Sequence, residues 1–233
     1  MKIAVLGSGA WGTALSLLLQ KNGHEVTLWS YCEEECSALR ERGENKMLPG
    51  VPLPEGLPLT HREDVVAGCG LVVFAPPSYA MRQTALRVKP YLMPEAVLVT
   101  VAKGVEPESG LRMSEILAET LPGHPIAALS GPSHAEEVAR EMPTGCVAAC
   151  ADRAVAEWLQ GIFMNPSFRV YSSTDITGVE LCGAAKNIIA LAAGMAEGMG
   201  CGDNAKALMM SRALVELSAL IKAAGGEETT CFG

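Results

Sequence analysis

Six residues, Gly7-Ser-Gly9-Ala-Trp-Gly12, constrain this chain more than any others. A short β-rich run, Lys2-Ile-Ala-Val-Leu6, leads into them, and Thr13 to Asn22 reads as the helix that follows. Gly23-His-Glu-Val-Thr-Leu-Trp29 then reads as a second strand. Glycines spaced G-x-G-x-x-G say little alone, but between the strand and helix of a βαβ unit they mark a turn for dinucleotide phosphates. The first glycine makes the tight turn, the second lets backbone approach the pyrophosphate, and the third lets helix pack on strand. The helix N-terminus adds free amides and the positive end of its dipole. Ser8, Ala10 and Trp11 share the turn and are cofactor-site candidates with the glycines. The same reading explains the charge-free run from Ile3 to Leu19, which otherwise resembles a signal peptide or short membrane anchor.

The α/β alternation continues. Leu71-Val-Val-Phe74, Ala96 to Val101 and Ile126-Ala-Ala-Leu129 are buried-strand candidates, and Gly145 to Ala149 and Phe168 to Tyr171 add two more around a helix from Asp152 to Phe163. Residues 45 to 60 hold four prolines and read as an excursion rather than a regular crossover. The expected fold is α/β, a doubly wound and mostly parallel sheet, in which ligands sit beyond the carboxyl ends of the strands. Each later strand ends in turn chemistry: Ala75-Pro-Pro-Ser78, Ala102-Lys103-Gly104 and Ser130-Gly131-Pro132-Ser133. Turn propensity accounts for Gly, Pro and Ser but not for a lysine at Lys103. An acidic residue that would mark NAD at the end of the second strand is not in place; Trp29-Ser30-Tyr31-Cys32 stands there, followed by Glu33 to Glu35, which also suit a first helical turn. Arg40 and Arg42 lie too far along to meet a 2′-phosphate, so NAD and NADP both stay open.

From Asp175 the pattern turns helical. Asp175 to Ala196 reads as one long helix and Asn204 to Ala224 as another, capped by Asp203-Asn204 and ended by Gly225-Gly226. The expected units are 1–174, binding dinucleotide, and 175–233, the first part of an all-helical domain. Leu208, Leu214, Leu217, Leu220 and Ile221 form a stripe expected in the core. Lys186 is the only charged residue between Glu180 and Glu197, inside an apolar stretch that reads as buried. A lysine so placed is neutral, paired or snorkelling to solvent, and desolvation would move it toward proton exchange near neutral pH. Two helices bury little alone. Glu227 to Gly233 looks like the start of a further element, so the expectation is either a missing C-terminal part or a homodimer that closes the helical domain.

Composition narrows the partners. With 49% apolar and 19% charged residues the chain can bury a core, and its net charge of −8 without a basic run argues against nucleic acid or anionic membrane. The eight cysteines form no C-x-x-C pair and the four histidines are scattered, so no metal site is expected. Free thiols at this density fit a reducing cytoplasm.

Taken in order, Gly7 to Leu15, Asn45-Lys-Met-Leu-Pro-Gly50 with Leu53-Pro54, Lys103-Gly-Val-Glu106, Leu129-Ser-Gly-Pro-Ser133, Gly178 to Asn187 and Gly200 to Lys206 resemble the bacterial type of NAD(P)-dependent glycerol-3-phosphate dehydrogenase. The resemblance implies a Rossmann-like domain followed by a helical substrate domain. It implies hydride transfer between NAD(P)H and a small phosphorylated substrate, dihydroxyacetone phosphate, giving sn-glycerol 3-phosphate for phospholipid synthesis. It places Gly7 to Gly12, especially Ala10 and Trp11, with Tyr31, Lys103 and Ala135, at the cofactor. It places Lys103, Gly131, Ser133, Lys186 and Asn187 at the substrate, with Lys186 as proton donor or acceptor. The family's later Gly-x-x-Asp-Leu segment and Arg-Asn pair have no counterpart in these residues, which puts the chain's own turnover in question. Two other readings share the plan: a lysine-dependent hydroxyacid dehydrogenase of the 6-phosphogluconate or hydroxyisobutyrate type, disfavoured by the Lys103 and Ser130–Ser133 segments, and a dinucleotide-binding fragment without turnover.

Overall fold

A computed structural model describes residues 1–232; Gly233, the last residue of the expected helical unit, lies outside them. Eight strands form one sheet in the order β3-β2-β1-β4-β5-β6-β7-β8. They are β1 Lys2–Leu6, β2 Glu25–Trp29, β3 Leu59–Thr60, β4 Leu71–Phe74, β5 Val97–Thr100, β6 Ile126–Ser130, β7 Thr144–Cys150 and β8 Phe168–Ser173. All neighbours pair parallel except β6 and β7. The mostly parallel, doubly wound sheet is therefore present. Its short edge strand β3 closes the proline-rich excursion, where no strand was expected.

The sheet is apolar on both faces, as a helix-covered parallel sheet requires. In β1, Ile3 and Val5 join one buried cluster while Ala4 and Leu6 join the other. The first cluster packs under α1 (Ala10–Lys21), α5 (Ala135–Ala139) and α6 (Arg153–Phe163). The second packs under α3 (Met81–Val88) and α4 (Met113–Thr120). A further helix, α2 (Glu33–Arg42), takes Glu33, Glu34 and Glu35 into its first turn, where the dipole favours them. The run resembling a signal peptide is β1, the glycine turn and most of α1.

Register aligns the working ends of the strands. Leu6 pairs with Trp29 and with Phe74, and Phe74 pairs with Thr100. Gly7, Ser30, Ala75 and Val101 thus leave the sheet on one edge, and Gly131 leaves β6 on the same edge. The chain goes from β1 outward to β2 and β3, then crosses to β4, so the switch in winding direction falls between β1 and β4. Crevices at such a switch are where ligands enter open α/β sheets.

Two long helices follow: α7 (Ile176–Gly198) and α8 (Gly202–Ala223). Asp175 caps α7, accepting from Gly178 N at 2.8 Å, and also accepts from Glu227 N at 2.9 Å and Thr230 Oγ1 at 2.6 Å. The last two bonds tie the start of α7 to Glu227 and to the 3-10 turn Glu228–Phe232 that follows it. Only Gly178, Val179, Glu180 and Gly183 of α7 are buried. That corrects the expectation of a buried helix: Ile188, Leu191, Met195 and Met199 are exposed. The α8 stripe divides likewise, with Leu217 and Ile221 buried but Leu208 and Leu220 exposed. The expected cap at Asp203-Asn204 also gives way, since α8 begins at Gly202 and Asp203 sits in its first turn. By length and hydropathy α7 could cross a membrane. Its first turns are instead seated against β6 and the start of α4, where Arg112 Nη1 (2.7 Å), Ser114 N (2.8 Å) and Ser114 Oγ hold the buried Glu180 carboxylate.

Candidate active site

A cleft of about 810 Å³ opens along the aligned strand ends. Gly7 to Gly12 form one wall, Ala75 to Ala80 face them, and Tyr31 and Lys103 stand at opposite ends. The three glycines are there for different reasons. Gly7 has φ +126°, and a Cβ on it would lie 2.5 Å from the Ala75 carbonyl oxygen. A Cβ on Gly12 would overlap the Gly7 carbonyl. Both are demanded by the fold. A Cβ on Gly9 would meet nothing nearer than Met47 Cε at 4.0 Å, so the protein itself leaves that direction open toward the cleft. Gly9 is also the N-cap of α1, and no side chain caps the helix there. The first-turn amides of α1 are free to receive an anion. A residue the sequence reading did not assign to the site, Asn45, braces this turn from beneath. Buried in the proline-rich excursion, it donates to Ser8 O (2.8 Å) and Thr13 Oγ1 (2.7 Å). Its only prior signal was its place in the Asn45–Gly50 segment.

At the far end of the cleft two lysines converge. Lys103, following β5, reaches Ser133 Oγ at 3.5 Å, and Ser133 Oγ lies 3.3 Å from Gly131 O. Lys186, nearly three turns into α7, donates to the same Gly131 carbonyl at 2.7 Å. Helix and strand end can approach because of Gly183, where any Cβ would overlap Ser130 Oγ and lie 3.6 Å from Lys103 Cγ. Gly131 itself is packed against β7, its notional Cβ 2.7 Å from Gly145 O. Lys186, Gly131 and Ser130 also line an apolar hollow of about 510 Å³ between β6, α7 and α8. The Gly131–Ser133 turn is thus the shared wall of cleft and hollow.

Burial lowers the Lys103 ammonium to about 8, with the nearby Lys186 charge adding to the effect. Lys103 is thus a lysine at the site whose proton affinity burial strongly lowers. Burial pushes the neighbouring Cys146 thiol up to about 11, so it stands as a neutral part of the wall. The remaining candidates are less central. Tyr31 is exposed at the mouth of the cleft with the Arg87 guanidinium 4.6 Å over its ring. Ala135 is buried at the start of α5, packed in the first apolar cluster. Asn187 is exposed on α7, rotated away from the hollow that Lys186 lines. Trp11 and Trp29 line the cleft, and the Nε1 of each is buried without a partner among the described residues. Among those residues no three His, Cys, Asp or Glu side chains group as a metal site.

Known proteins match this architecture throughout. Residues 2–156 match the family model for the N-terminus of NAD-dependent glycerol-3-phosphate dehydrogenase, and residues 175–233 match the model for its C-terminus. A protein of Moorella thermoacetica named glycerol-3-phosphate dehydrogenase [NAD(P)+] is 51% identical over 99% of this chain and 69% of its own length. One of the same name from Fusobacterium nucleatum is 45% identical over 100% of this chain and 71% of its own. The crystal structure of glycerol-3-phosphate dehydrogenase from Coxiella burnetii superimposes with a TM-score of 0.92 at 35% identity, covering 100% of this chain and 72% of that one. The glycine turn, the two converging lysines and these matches agree: the chain belongs to the NAD-dependent glycerol-3-phosphate dehydrogenase family and is an NAD(P)-dependent oxidoreductase of that type.

Proposed function

We propose that this chain interconverts dihydroxyacetone phosphate and sn-glycerol 3-phosphate in the cytoplasm, feeding the glycerol phosphate backbone of phospholipids. The observation that carries the reading is the pairing of Lys186 Nζ and Lys103 Nζ around the Gly131–Ser133 turn at the end of a dinucleotide-shaped cleft. Gly7 to Gly12 would hold the pyrophosphate on the uncapped start of α1, with Tyr31 toward the adenosine and Ala135 beneath the turn. NAD(H) or NADP(H), when bound, supplies or accepts the hydride.

The protein's part is charge and proton handling. As hydride reaches the ketone carbon, negative charge develops on its oxygen. A protonated Lys186 stabilises that charge and hands over its proton; in the reverse direction its neutral amine takes the hydroxyl proton. The Gly131 carbonyl fixes the ammonium in place, which spares the reaction an orienting step. Lys103 and Ser133 face the same end of the cleft and suit an anionic substrate, with Lys103 bridging substrate and cofactor. Asn187 would meet substrate only from the open side of α7. We take 1–174 as the dinucleotide-binding unit and 175–233 as the helical substrate unit, a division supported by the cap at Asp175.

A substrate panel tests the reading. Oxidation of NADH or NADPH should be fast with dihydroxyacetone phosphate and weak with dihydroxyacetone, which lacks the anion. Turnover with 6-phosphogluconate or hydroxyisobutyrate and none with glycerol 3-phosphate would reassign the enzyme.

A further inference from the structure

The adenosine end of the cleft is built around the end of β2. The position where a strand-end acid receives ribose hydroxyls in NAD sites is held here by Ser30, whose side chain is buried. Ser8 Oγ donates to Ser30 Oγ at 2.9 Å, and Ser30 Oγ donates in turn to Glu35 Oε2. The relay fixes a carboxylate from the first turn of α2 beside the strand end. Glu35 is half-buried and is the one acidic residue lining the cleft among the described residues. Its Oε1 has no hydrogen-bond partner among them. Glu33 is turned elsewhere, bonded to Arg40 and His61.

A 2′-phosphate would need a cation at this end. Arg87 and Arg40, the arginines beside Tyr31 and on α2, are engaged. Arg87, stacked over Tyr31, donates through Nε (2.9 Å) and Nη2 (2.5 Å) to Glu63 Oε1. Arg40 donates to Glu33 Oε1 and to Leu59 O, each at 2.8 Å. Lys103, the only cation lining the cleft among the described residues, follows β5. In the order β2-β1-β4-β5 that is three strand spacings from β2, roughly 14 Å.

We propose that Glu35, held by Ser30, receives the adenosine ribose hydroxyls and makes this enzyme select NAD(H) over NADP(H). The free carboxylate oxygen accepts from a ribose hydroxyl, and the same charge repels a 2′-phosphate. The inference rests on the placement of the dinucleotide in this cleft.

Quenching of Trp11 and Trp29, together with nicotinamide fluorescence, gives dissociation constants for NADH and NADPH without turnover. The unaltered protein should bind NADH at least about tenfold more tightly, the scale of one charge-assisted hydrogen bond. Glu35→Gln keeps the shape and a partner for Ser30 but removes the charge. It should narrow the ratio by about tenfold, mainly through tighter NADPH. A starting ratio near one, a preference for NADPH, or an unchanged ratio in Glu35→Gln overturns the proposal. Gly9→Val separates the underlying placement from the role of Glu35. If it leaves both constants unchanged, the cleft is not the dinucleotide site and the proposal falls with it. If it abolishes binding while Glu35→Gln keeps the original ratio, only the role of Glu35 fails.

Discussion

Two apolar stretches of this chain meet opposite fates. Leu71 to Phe74 in β4 are fully buried, paired on both edges and covered on both faces. Ile188, Leu191 and Met195 of α7 are 59 to 71% exposed. Composition sets what a segment can bury, and neighbours decide what it does bury. The sheet supplies neighbours for β4 in every direction, whereas α7 is seated only over its first two turns. Lys186 stands where that seating ends. A half-buried amine with one fixed carbonyl partner can be held still and yet remain open to a substrate. In the middle of the sheet it would be trapped, and farther along α7 it would be free.

The contrast should be largest in hydrogen exchange. Amides of β1, β4 and β5 should exchange only through global opening, while residues 188 to 212 should exchange at least about a thousandfold faster. Equal protection in dilute solution would erase the distinction. Matched truncations should separate the regions next. Leu98→Ala in β5 should destabilise by about 2–5 kcal/mol, against within roughly 0.5 kcal/mol for Leu191→Ala, in urea unfolding. The seam between the regions rests on the buried Glu180. Arg112→Ala would leave its carboxylate without a counter-charge, at a loss of about 3 kcal/mol. A loss below about 1 kcal/mol would mean that the pair does not anchor α7.

The smallest effect is a pH signature of Lys103. Its folded value is about 8 against an ordinary 10.5, so between these the unfolded chain binds more protons. Stability should therefore rise with pH across that window, and Lys103→Met should flatten the rise in a series of thermal midpoints. Affinity for an anionic substrate should fall over the same range, as Lys103 loses its charge. A thermal profile unaffected by Lys103→Met would deny the burial of that ammonium.

Much of this was legible because backbone geometry writes itself into sequence. The glycine turn, the strand-end loops and the start of the long helix at Asp175 answer to local rules and stand where the pattern put them, with Lys103 in the loop after β5. What escaped the pattern depends on partners far along the chain. Asn45 braces the glycine turn from an excursion with no regular structure. Glu33 to Glu35 do begin a helix, but which of them turns into the cleft follows from the hydroxyl of Ser30. The buried reading of α7 failed because periodicity cannot say whether a partner is present.

The central claim is that the strand-end cleft binds the dinucleotide while Lys186, delivered by α7, handles the proton. The direct test is Lys186→Ala, with kcat measured for dihydroxyacetone phosphate reduction and Kd measured for the dinucleotide. The two roles should separate: kcat falls by about 10²–10⁴-fold, as for loss of a positioned acid, and Kd stays nearly unchanged. Near-normal kcat would make Lys186 only a half-buried lysine snorkelling to solvent, and the assignment of the proton step would be wrong.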